Sequence, residues 1–323
     1  RIAVTGFRVG ELLEQPNLGS VSCEAGLNGV VGKGLIDARV DGSVSQLEFN
    51  GYDYDSLRFG GRLTEKTFNG HVRADDPALR FDFQGEVGFN PERPHYDFDL
   101  DLIHADLARM HLNRRDSVSV LSALVEARAS GRTLDDLNGK VTVGDVVYRY
   151  NADTLRTTRL TLDGQNSAGS KYLSLQSEFA DATFRSRTDY KTVFEYLRSS
   201  LEKYIPLLYD ERKARKRAAG AVSVVDDYSV LSVDVKHFTP VADAVADGLQ
   251  IADGSQLRLL FNPANDKLSL KATSEYIERE RMLATRLNLN ATNRGDSLSV
   301  YLRSEDFYVG TFHMPQLSVM GGA

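Results

Sequence analysis

Two neighbouring stretches decide the reading of this chain: Leu79-Arg80-Phe81-Asp82-Phe83-Gln84-Gly85-Glu86-Val87-Gly88-Phe89 and Tyr96-Asp97-Phe98-Asp99-Leu100-Asp101-Leu102. Apolar and polar residues alternate strictly in both. Successive side chains of a strand point to opposite faces, so this period of two marks half-buried antiparallel strands. One face carries Leu79, Phe81, Phe83, Val87, Phe89, Tyr96, Phe98, Leu100 and Leu102, while the other carries Asp82, Gln84, Glu86, Asp97, Asp99 and Asp101. The same alternation returns at Leu257 and Leu259, Leu268 and Leu270, Leu287 and Leu289, and Leu298, Val300 and Leu302. The chain therefore reads as all-β, a long antiparallel meander.

An apolar residue followed by Asn or Asp and then Gly recurs at Leu27-Asn28-Gly29, Val40-Asp41-Gly42, Phe49-Asn50-Gly51, Phe68-Asn69-Gly70, Leu137-Asn138-Gly139 and Leu162-Asp163-Gly164. Asn-Gly and Asp-Gly supply the positive φ of tight hairpins, so many of these sites are expected to be strand reversals. Others are expected to be bulges, where Gly relieves curvature in a twisted sheet. Three segments depart from the strand pattern. Ala105 to Leu112 fits one or two helical turns. Thr192 to Ile205 places Val193, Phe194, Leu197, Leu201 and Tyr204 at helical spacing and predicts an amphipathic helix that Pro206 ends. Pro240 to Leu249 fits a third short helix. The shift to charged, helical composition divides the chain into a β segment over 1–191, a helical insertion or lid over 192–221 and a second β segment over 222–323.

With 41% hydrophobic and 26% charged residues, the chain has the composition of a folded protein. Its net charge of −6 offers no broad attraction for nucleic acid, which is not an expected partner. The lone Cys23 cannot form a disulfide within the chain or a thiolate cluster. Neither a leader peptide nor a run of about 18 apolar residues is present. The chain reads as a piece of a longer protein, with any anchor outside it.

No constellation for chemistry emerges. The six histidines, His71, His95, His104, His111, His237 and His313, are scattered without ligand spacing, so no metal is expected. Adjacent carboxylates such as Asp75-Asp76, Asp135-Asp136 and Asp226-Asp227 would point to opposite faces of a strand and cannot flank one bond. Hydrolase elbows, phosphate-binding loops and dinucleotide fingerprints are missing. The expectation is a non-catalytic protein without a cofactor. One basic cluster, Arg212, Lys213, Arg215, Lys216 and Arg217, interrupts an acidic chain and is a candidate contact for anionic lipid headgroups. A solvated helix end would look the same.

Several units together resemble the central region of the TamB/AsmA-like family of Gram-negative envelopes. They are Gly26-Leu27-Asn28-Gly29, Phe49-Asn50-Gly51-Tyr52-Asp53-Tyr54, Ala74-Asp75-Asp76-Pro77-Ala78-Leu79, Phe81-Asp82-Phe83-Gln84-Gly85, Tyr96 to Asp101 with Ala105-Asp106-Leu107, and Glu195-Tyr196-Leu197 through Tyr204-Ile205-Pro206. The resemblance implies an elongated, twisted antiparallel sheet curled into a U-shaped apolar groove, a β-taco, with one or two short amphipathic helices. It further implies a periplasmic protein anchored in the inner membrane, phospholipid transport toward the outer membrane, and assembly of outer-membrane proteins with a barrel partner of the TamA/BamA type. The apolar row from Leu79 to Leu102 would then line the groove. A closed sandwich core demands the same alternation, so the sequence leaves groove and core both open. A chaperone-like scaffold and a surface adhesin are the competing functions, the absence of Trp counting against the adhesin.

Overall fold

The structure is a computed structural model that describes residues 1–12, 15–32, 35–167, 169–204, 225–245, 248–294 and 297–322. It is all-β, as the alternation predicts: an antiparallel sheet of 20 strands that is not closed into a barrel. In chain order the strands are β1 (Ile2–Arg8), β2 (Leu18–Gly32), β3 (Leu35–Phe49), β4 (Tyr52–Tyr54), β5 (Leu57–Thr64), β6 (Thr67–Asp75), β7 (Leu79–Gly88), β8 (His95–Asp106), β9 (Ser119–Ser130) and β10 (Asn138–Tyr150). They continue as β11 (Asp153–Ser167), β12 (Ser170–Ser177), β13 (Ala180–Ser186), β14 (Ser229–Val235), β15 (Gln250–Ile251), β16 (Gln256–Asn262), β17 (Lys267–Arg279), β18 (Met282–Arg294), β19 (Ser297–Val309) and β20 (Phe312–Gly322). The helices among the described residues are α1 (Val9–Leu12), α2 (Tyr190–Tyr204) and α3 (Thr239–Val245). None of the described helices is long and apolar enough to cross a membrane.

Two compact units make up the chain, one of Arg1–Arg132 with Gly139–Thr161, the other of Thr133–Asn138 with Leu162–Ala323. In the first, β1, β2, β3, β5, β6, β7, β8 and β9 pair in succession, and β4 adds to the end of β3. In the second, β12, β13, β14, β16, β17, β18, β19 and β20 pair in succession, with β15 on β17.

Of the Asn-Gly and Asp-Gly sites, Asn50-Gly51 is a hairpin turn, with φ of 54° and 76°. The other five fall inside strands β2, β3, β6, β10 and β11, which corrects the reading of them as reversals. Sterics give the reason. A Cβ on Gly70 would sit against the Gly60 carbonyl and the Gly61 Cα of β5, and one on Gly85, at φ 144°, against the Asp97 carbonyl and Phe98 Cα of β8. These glycines let neighbouring backbones approach closely, with the ladder register unbroken at Gly70.

The expected turn after Ala105 is present as the shorter of the two lengths foreseen, and it begins later. Ala105 still belongs to β8, and the chain then makes a single turn, closed by the Met110 amide donating to the Asp106 carbonyl at 2.9 Å. Helix α2 starts two residues before the predicted position and runs to Tyr204; Ile205 and Pro206 lie outside the described residues. Its first turn is held from both sides. The Tyr190 amide donates to Asp135 Oδ1 at 2.5 Å, and Lys171 Nζ pairs with Asp189 at 2.8 Å while also donating to the Asp135 carbonyl at 2.8 Å. α3 occupies the first part of the third predicted helix.

Candidate functional site

Register in the first unit aligns the apolar residues of seven strands, β2, β3 and β5 to β9, into four columns that cross the sheet at right angles to the strands. One runs Ala25, Gly42, Phe59, Val72, Phe83, Leu100, Val125, and the next Leu27, Val40, Gly61, Gly70, Gly85, Phe98, Ala127. On either side lie Cys23, Val44, Leu57, Ala74, Phe81, Leu102, Ala123 and Gly29, Ala38, Leu63, Phe68, Val87, Tyr96, Ala129. No charged or hydrogen-bonding side chain other than the Tyr96 phenol and the Cys23 thiol enters these columns. Strands about 4.8 Å apart and two-residue steps of about 6.6 Å make this face roughly 29 by 20 Å. That is a footprint of about 600 Å².

Burial across the face is uneven in an informative way. The small members, Ala38, Val40, Ala74, Ala123 and Ala127, are buried. Leu57, Phe59, Leu63, Phe68, Val72, Phe81, Phe83, Val87, Tyr96, Phe98, Leu100 and Leu102 are each only partly buried, and Leu27 is 40% exposed. Large side chains thus lie over small ones and keep their outer surfaces accessible. Phe83 and Phe98 touch, with ring centroids 5.1 Å apart. Of the sequence-chosen residues, Phe81, Phe83, Val87, Tyr96, Phe98, Leu100 and Leu102 join these columns, whereas Leu79 lies beyond the register shift at the end of the face and Phe89 follows the end of β7 and is 45% exposed. Contributions from β2, β3, β5, β6 and β9 were missed; Ala and Gly fill many of their inward positions and give the alternation little contrast.

Loops seal one end of the face. Tyr54, Ala78, Ala105 and Met110 form a buried cluster there, with Leu57, Leu79, Leu102 and Leu107 against it. Its polar anchor is Asp76, 1% exposed, whose carboxylate accepts from the Tyr52 hydroxyl at 2.9 Å, the Asp55 amide at 3.0 Å and the Ala78 amide at 2.7 Å. Burial, followed by this bond to a carboxylate, pushes the Tyr52 phenol up to about 12.

The opposite face is charged but not simply acidic, because neighbouring strands bring arginines to the aspartates. Arg62 forms two 2.7 Å bonds to Asp37 across β5 and β3, and Arg128 bridges Asp97 and Asp99 at 2.8 and 2.9 Å. Glu86 meets His95 at 2.7 Å and Asn69 at 2.9 Å, and these bonds hold its carboxyl below the usual range. Concavities on this face, such as the one lined by Asp55, Arg58, Arg73 and Asp75, mix both signs. This one offers no net charge to an ionic ligand.

In the second unit the equivalent face is covered. α2 lays Tyr190, Val193, Tyr196 and Leu197 over Phe184, Leu259, Phe261, Leu268, Ala291 and Leu298, leaving Phe261 at 0% and Val193 at 1% exposure. Among the described residues the buried Tyr190 hydroxyl has no partner, and its burial, with Asp135 nearby, pushes the phenol up to about 12. The adjoining column Leu175, Ala182, Val233, Leu257, Ala272, Leu289 and Leu302 stays partly exposed.

The basic cluster Arg212, Lys213, Arg215, Lys216 and Arg217 lies outside the described residues. Among the described residues no group of three His, Cys, Asp or Glu side chains could hold a metal ion. His104 belongs to β8, whereas His111 stands in the following turn with φ 58°, its ring Nδ1 3.1 Å from the Asn50 carbonyl. Compared with known proteins, the chain matches no family model, no curated protein and no solved structure.

Proposed function

We propose that the chain is a passive, cofactor-free conduit for phospholipid whose acyl chains lie on the open apolar face of β2 to β9. The observation that carries this reading is the partial exposure of the large side chains in four uninterrupted apolar columns. A sheet face has its backbone groups already paired within the ladder, so an occupant gains few hydrogen bonds from it. An extended polypeptide laid there would leave buried amides unpaired at about 1–3 kcal/mol each, whereas a methylene chain has none to lose. The chemistry favours acyl chains over extended peptide.

Such a track answers a physical need. A phospholipid with about 30 methylenes, at roughly 0.8 kcal/mol each, faces about 24 kcal/mol on entering water alone. That barrier corresponds to roughly 10⁻⁵ per second, too slow to supply a membrane. In the setting that the family resemblance implies, a U-shaped groove in the periplasm of a Gram-negative bacterium, tethered to the inner membrane through a segment outside this chain, would shelter lipid bound for the outer membrane. A barrel protein of the TamA/BamA type would be its partner in outer-membrane biogenesis.

The test is native mass spectrometry with lipid extraction on the chain purified gently from bacterial membranes. Stoichiometric phospholipid, lost in a Phe83→Asp/Phe98→Asp variant that keeps its strand circular dichroism, is the expected result. Lipid-free protein, or unchanged lipid in the folded variant, would contradict the proposal.

A further inference from the structure

The apolar face of β2 to β9 is finished differently at the two ends of its strands. Beyond the Cys23 to Ala123 column the chain folds back over it, and the segments after β3, β6 and β8 bring Tyr54, Ala78 and Met110 together at 5%, 0% and 2% exposure. Bonds between these segments hold the closure. The Asp106 amide donates to the Ala78 carbonyl at 2.8 Å, and the Asn50 side-chain amide donates to the His111 carbonyl at 2.9 Å. A charged group brought to this end would enter an apolar cluster without a partner, and unpaired burial of a charge is costly.

Beyond the opposite column, Gly29 to Ala129, nothing among the described residues folds over the face, and Leu63, Phe68, Val87 and Tyr96 all stay partly exposed. The connections here are hairpin tips. β5 and β6 are joined by Glu65 and Lys66 alone, and β7 and β8 by residues 89–94. The two tips adjoin, the Phe89 amide donating to the Lys66 carbonyl at 2.8 Å. Glu65, Lys66, Glu92 and Arg93 are all exposed on them, and none of the four is held in an ion pair among the described residues. Tyr96, the one phenol on the face, stands in the column next to these tips, opposite Val87. A ring with an apolar body and a polar end suits the boundary between acyl chain and water.

We infer that phospholipid lies along the strands of this face, its chain ends against Tyr54, Ala78 and Met110 and its headgroup at the tips 64–67 and 89–94. Lys66 and Arg93 take the phosphate there, and Glu65 and Glu92 take the ammonium of a zwitterionic headgroup. The inference rests on the face being an acyl-chain track. Dimensions support it: a bilayer's hydrocarbon core is about 30 Å thick, so the chains of one leaflet need about 15 Å, within the roughly 20 Å that four columns span along the strands. Laid across the strands instead, a lipid would bring its charged headgroup onto apolar columns. Laid along them, it slips from strand to strand with the headgroup always outside.

The probe is phosphatidylcholine with a nitroxide either on its choline headgroup or near the end of one acyl chain, loaded on the whole chain and read by paramagnetic broadening of amide signals. The headgroup label should broaden residues 64–67 and 89–93, and the chain-end label residues 78 and 107–110. The reverse pattern, or equal broadening at both ends by either label, overturns the inference while leaving lipid on the face. Broadening nowhere in folded protein removes the acyl-chain reading, and this inference with it. From equal mixtures with anionic phosphatidylglycerol, native mass spectrometry should find phosphatidylcholine enriched about two- to fivefold, the range of an exposed ion pair. That enrichment should be lost in a Glu65→Lys/Glu92→Lys variant. Equal occupancy by the two lipids in the unaltered chain contradicts the headgroup assignment.

Discussion

The two units carry the same alternation on the same kind of sheet, yet a helix covers part of one apolar face, beside a column that stays partly exposed, while the other is open along four columns. Under α2, Phe261, Leu259, Leu268 and Leu298 reach core burial. In the first unit Phe83, Phe98 and Leu100 stop part way, and loops around Met110 close only one end. Strand periodicity dictates which face is apolar, and a second layer decides whether that face is core or surface.

The largest effect expected from this difference is in truncation. Phe261→Ala removes a fully buried ring and should cost about 3–5 kcal/mol, measured by urea unfolding, whereas Phe83→Ala removes a half-covered one and should cost roughly 1–2 kcal/mol. Equal losses would break the contrast. Next comes detachment of the cover: Val193→Asp forces a carboxylate into the α2 contact and should cost about 2–4 kcal/mol, with amide protection lost over 190–204 and new binding of an apolar dye. Unchanged exchange over α2 would show that the helix is held by something other than its apolar face.

A smaller and sharper comparison lies in two tyrosines. Tyr52→Phe removes a bond to the buried Asp76 carboxylate and should destabilise by about 1–2 kcal/mol, while Tyr190→Phe removes a hydroxyl that has no partner and should be neutral or stabilising. Both phenols are raised from 10.0 to about 12 in the fold. The neutral form is thus the one the fold favours, so their contribution is complete below pH 10 and declines as pH rises toward about 12. Each Phe variant should flatten that alkaline loss in its own unit, read as melting temperature against pH.

Much of this was legible in the residues. Strict alternation from Leu79 to Leu102 fixes β7, β8 and the row they share, and helical spacing from Val193 to Leu197 locates α2. Asn-Gly and Asp-Gly were ambiguous because one dipeptide serves a turn at Asn50-Gly51 and a close strand approach at Asn69-Gly70. Only the register reveals which. The full width of the face was hidden by Ala and Gly, which pack inside without announcing it.

The central claim is that the face bearing Phe83 and Phe98 meets acyl chains while the one beneath α2 does not. A photo-reactive benzophenone residue placed singly at 83, 98, 84 or 261, followed by irradiation with phospholipid vesicles and mass spectrometry, tests it directly. The account predicts lipid adducts at 83 and 98, and none at 261 beneath the helix or at 84 on the charged face. Adducts at 84 as frequent as those at 83, or none at 83 in folded protein, would contradict it.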